Sequence, residues 1–61
     1  MHVDPGAVLI YLTNNPGSSG EQVAEAMGTD TATVRPVVKK LIADGAVAAH
    51  GKGRGMRYAR V

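Results

Sequence analysis

The side chains able to do chemistry are nearly all cations. Arg35, Lys39, Lys40, Lys52, Arg54, Arg57 and Arg60 are every Lys and Arg of the 61-residue chain, and all fall after position 34. Such groups only donate hydrogen bonds, so their chemistry is the holding of anions, and Arg does this with a fixed planar fork. Within 35–61 they face Asp44 alone, a net of +6. Residues 1–34 carry Asp4, Glu21, Glu25 and Asp30 and no cation, a net of −4. The overall charge of +2 and the pI near 9.4 understate this separation. A basic half this concentrated implies a surface for a polyanion; a solvated basic face is the alternative.

Other chemistry is scarce. Without Cys there is neither a disulfide framework nor a thiolate zinc site, and only His2 and His50 remain as nitrogen ligands. No metal and no cofactor are expected. Glu21 and Glu25 are the one close carboxylate pair, and in the first turn of a helix they serve its dipole. The glycines at 51, 53 and 55 do not have a dinucleotide or Walker spacing, and no strand–loop–helix frame surrounds them. With no nucleophile–base pair and little room for a closed pocket, an enzyme acting on a small-molecule substrate is not expected. The longest apolar run, 7–12, is too short to cross a bilayer and makes a poor signal peptide, so no membrane partner and a cytoplasmic location are expected.

Local signals outline the elements that position the cations. Asp4-Pro5 opens a first helix over about 4–14, ended by Asn14-Asn15-Pro16-Gly17. Pro at the first helical position loses no hydrogen bond, and Asp4 accepts from the free amides of the first turn. Ser18 and Ser19 suit a very short extended segment. Ser19 and Gln22 form a capping box for a second helix over 20–27, closed by Gly28. Asp30 or Thr29 caps a third helix over 31–44, with Val34, Val38 and Leu41 inward. Ala32, Pro36, Lys39 and Ala43 lie opposite, flanked by Arg35 and Lys40. Pro36 removes a ladder bond, which predicts a kink near 32–36 or a later effective start. Segments 46–50 and 56–61 alternate as strands around a flexible tip of three glycines, Lys52 and Arg54. Tyr58 reads as a core residue, with base stacking as its alternative, and Tyr11 as a partly buried helix residue.

The order is therefore α+β: three helices followed by a two-stranded β-hairpin in one domain over 1–61, with 46–61 as hairpin. The second and third helices are joined by three residues that include a glycine, a helix-turn-helix connection. The runs from Gln22 to Met27, Gly28-Thr29-Asp30, Thr33-Val34-Arg35 and Leu41 to Val47 resemble the winged helix-turn-helix superfamily in its bacterial regulator form. Lys52-Gly53-Arg54-Gly55-Met56-Arg57-Tyr58 looks like the wing of small bacterial DNA-binding domains, including those of nucleoid-associated silencers. The resemblance covers essentially the whole chain. It departs at Pro36, where the family often has a polar or basic DNA-contacting residue.

The resemblance implies double-stranded DNA as partner, a recognition helix in the major groove and a wing in the minor groove. An α-helix fits the major groove and brings its first turns to base edges. On that helix Thr31, Thr33 and Arg35 are candidates for base or phosphate contact, the alternative for both threonines being the capping of their own helix. Lys39 and Lys40 are candidates for phosphates. On the wing the candidates are Lys52, Gly53, Arg54, Gly55 and Arg57. Arg54 either enters the minor groove, which selects AT-rich sequence by its width and potential, or contacts phosphate. His50 and Arg60 are possible phosphate contacts. The expected role is transcription regulation or gene silencing in the bacterial nucleoid, by a longer oligomerising protein or a dimer. A protein–protein module and a structured-RNA binder are the alternatives.

Overall fold

The computed structural model describes residues 3–61, apart from the side chain of Arg54. Met1 and His2 lie outside it. The order is α1 (Pro5–Asn14), α2 (Gly20–Met27), α3 (Thr31–Ala43), β1 (Val47–His50), a 3-10 turn (Gly53–Gly55) and β2 (Arg57–Arg60). This is the winged-helix layout. β1 and β2 pair antiparallel, with Val47 opposite Arg60 and His50 opposite Arg57.

Each helix begins on a local polar cap. Asp4 Oδ1 accepts from the Gly6 amide at 3.1 Å. The Gln22 amide donates to Ser19 Oγ at 3.2 Å, and the Ser19 amide donates to Gln22 Oε1 at 2.9 Å, completing the reciprocal box. Asp30 Oδ1 accepts from the Thr33 amide at 2.8 Å. Asp30, not Thr29, is the cap of α3. Gly28 ends α2 with φ of 72°, a left-handed conformation that closes helices and favours glycine.

The core is aliphatic. Val8 and Leu12 of α1, Val23 and Ala24 of α2, Val34, Val38 and Leu41 of α3 and Val47 of β1 are buried together. Tyr11 and Tyr58 are half-buried and pack against this cluster, as the sequence suggests for each. Among the described residues Ser18 is the one buried polar residue, and its hydroxyl donates to the Asn15 carbonyl at 2.6 Å. Its backbone forms a single bridge to β2: the Tyr58 amide donates to the Ser18 carbonyl at 2.8 Å and the Ser18 amide to the Tyr58 carbonyl at 3.1 Å. The short extended segment thus gives β2 a partner on its second edge and ties the α1–α2 connection to the wing.

Pro36 does not delay the start of α3. The helix runs from Thr31 to Ala43 with Pro36 inside it and Asp44 as its C-cap. An interior proline costs a helix about 3 kcal/mol. The Asp30 cap fixes the turn before Pro36, and the burial of Val34, Val38 and Leu41 fixes both halves to the same core, which offsets that cost.

Candidate nucleic-acid interface

Between α2, α3 and the wing lies an open groove of about 950 Å³. α3 supplies Thr31 and Arg35 to it, and the wing supplies Gly53, Met56 and Arg57. A smaller extension of about 360 Å³ continues along α3 to Lys39 and Ile42. Val38, Met56 and Tyr58 line both parts and make the floor apolar. The Tyr58 ring is seated at the start of α2, where a Cβ on Gly20 would stand 3.7 Å from Cε2.

The groove sorts the cations. Arg35, Lys39 and Arg57, all exposed, are brought to one trough from two elements. Thr31 is half-buried on the same wall. Thr33 stands two residues before Arg35 and Lys40 five residues after it, about 200° and about 140° around the helix from it, and neither lines the groove. Thr33 is instead part of its own helix cap, and its hydroxyl and amide beside Asp30 hold that carboxyl below its ordinary value. Lys40 is exposed and lies beside Lys39 across the outer face of α3. His50 and Arg57 are cross-strand partners at the tip end of the hairpin, whereas Arg60 pairs with Val47 at its base.

The tip is an ordered turn in outline. The Gly55 amide donates to the Lys52 carbonyl at 3.0 Å, and the Met56 amide to the Gly53 carbonyl at 3.2 Å. The close backbone approach is made by Gly51, with φ of 97°. A Cβ there would stand 2.6 Å from the Gly55 carbonyl oxygen, while Gly55 itself is open. Lys52 and Gly55 are exposed. The minor-groove reading of the Arg54 side chain falls outside the described residues.

The groove also holds what composition did not suggest. Glu21 and Glu25 line its α2 side, opposite Arg35 and Arg57. Their spacing of four residues places both on one face of α2, but nothing in that spacing says what the face looks at. A helix N-terminus attracts anions through its free amides. Here the capping box occupies the Ser19 and Gln22 amides, and the two carboxylates oppose an anion on that side. The α2 wall is therefore acidic, and the α3 and wing walls are basic.

Among the described residues, no helix is long and apolar enough to cross a membrane. Compared with known proteins, the chain matches no protein family, no curated protein and no solved structure.

Proposed function

We propose that this chain binds double-stranded DNA, with α3 in the major groove and the wing against the adjacent minor groove, and serves bacterial transcription regulation or silencing. The observation that carries the reading is the convergence of Arg35 and Lys39 of α3 with Arg57 of the wing along one groove. Three cations on two elements match the spread of a phosphate backbone between a groove-bound helix and a hairpin. Arg54 at the wing tip supplies the AT bias in this reading, by entering a narrow minor groove.

The charge distribution favours this over a protein-docking module. The large apolar side chains exposed among the described residues are Ile10 and Val61, and single exposures of that kind are ordinary. The molecule measures 27 × 22 × 20 Å, so one copy spans less than a helical turn of about 34 Å. A footprint this small binds weakly and with steep salt dependence, and useful affinity comes from linked copies in a dimer or a longer protein.

The test is an NMR titration with AT-rich and GC-rich duplexes at two salt concentrations, with duplex RNA as competitor. The expected result is salt-sensitive shifts at Thr31, Arg35, Lys39 and residues 52–57, larger for AT-rich DNA. Shifts confined to other surfaces, or stronger binding of the RNA duplex, would overturn the proposal.

A further inference from the structure

Pro36 is the residue of α3 that stability does not explain. It lies inside the helix and removes one amide from the ladder. It is exposed, so its ring recovers none of that loss in the core. Its cost is offset by the cap and core contacts of its neighbours and by no contact of its own, and a residue that breaks a local rule in this way is a place to look for function.

Its position is informative. Val34, Val38 and Leu41 point the opposite way into the core, so Pro36 stands on the outermost face of α3. Ala32, one turn earlier, is exposed on the same face. Arg35 and Lys39 lie to the groove side of this face, and Lys39 and Lys40 straddle it one turn further on. The side chains of Ala32 and Pro36 on this face are carbon only, and cations stand around that apolar point. In the major groove the apolar feature of a base pair is the C5-methyl group of thymine, and phosphates line both sides. The arrangement is complementary to a thymine methyl below and phosphates at the flanks.

We infer that Pro36 is a specificity-determining residue that packs on thymine methyl groups in the major groove, with Ala32 beside it. This rests on the proposed placement of α3. It adds a second source of AT preference, independent of the wing, because the methyl is displayed only in the major groove.

The experiment uses AT-rich duplexes in which thymine is replaced by uracil. That change deletes the methyl and leaves the minor-groove edges and the phosphates as they were. Wild-type chain is expected to bind the uracil duplex about fourfold more weakly for each methyl contacted. In Pro36→Ala, which restores the helix amide, the melting temperature is expected to rise while the thymine-to-uracil ratio falls toward one. That pairing separates loss of contact from loss of fold. Equal wild-type affinity for the two duplexes, with binding still salt-sensitive, would overturn the role of Pro36 and leave the DNA-binding reading standing. An unchanged ratio in Pro36→Ala would also overturn it. Failure to bind either duplex would overturn both.

Discussion

Arg57→Ala and Arg60→Ala form a pair that tests whether binding is organised by the groove or by net charge. Both remove one exposed cation from the same strand. Arg57 lines the groove opposite the acidic wall of α2, and Arg60 sits three residues on, at the base of the hairpin. Three residues of strand span about 10 Å, and an odd separation turns the two side chains to opposite faces. That distance exceeds the Debye length of about 8 Å at physiological salt, so a phosphate held at Arg57 is screened from Arg60. Loss of one phosphate contact flattens the slope of log K against log salt by about 0.9. Between 50 and 200 mM salt this amounts to about a 3.5-fold change in how far affinity falls. Fluorescence anisotropy of a short labelled duplex across that salt range measures both slopes. Arg57→Ala is expected to flatten the slope by about 0.9, and Arg60→Ala to leave it unchanged. Equal flattening by the two variants would refute the groove as the organising feature and leave only bulk charge.

Three other predictions follow from the same geometry. Glu25→Gln is expected to tighten duplex binding by about two- to threefold at low salt, since it removes a like charge several ångströms from the phosphate path; weaker binding in the same anisotropy assay would contradict the acidic wall. Gly51→Ala is expected to lower the melting temperature markedly through its clash with the Gly55 carbonyl and its positive φ, whereas Gly55→Ala, in open space, is expected to change it little. Asp30 caps α3 as a carboxylate, and Thr33 holds its pKa below the ordinary 3.8. A lowered folded-state value means the stabilisation is full above the ordinary value and is lost as pH falls through the lowered one. Melts of wild type and Asp30→Ala are expected to differ near neutral pH and to converge in acid; a constant gap would count against the charged cap.

The helix boundaries were legible in the sequence because the devices that set them are local. The Asp4 cap, the Ser19–Gln22 box, the Gly28 closure and the Asp30 cap each join residues two to four apart, and each stands where its residue types predict. The positions of the two strands and the inward face of α3 were readable as well, but burial along the strands does not alternate: in β1 it falls steadily from Val47 at the base to His50 at the tip. The span of α3 was also legible; of the two effects expected of Pro36, the later start does not occur, because propensity is a local term and the burial of Val34, Val38 and Leu41 is not.

The site divides along the same line. Sequence alone fixed that the cations lie in one half of the chain, and charge counting pointed to a polyanion. It could not say that Arg35, Lys39 and Arg57 meet while Arg60 stands apart, since that depends on how the wing docks against α3. Nor could it place Glu21 and Glu25 across from Arg57, on a wall made by a helix more than thirty residues away in the chain. The docking is set by the Ser18–Tyr58 bridge and by Val47 in the shared core, contacts between residues distant in sequence that no local pattern records. Local hydrogen bonding determined the elements; the packing of side chains far apart in the chain decided which charges share a groove.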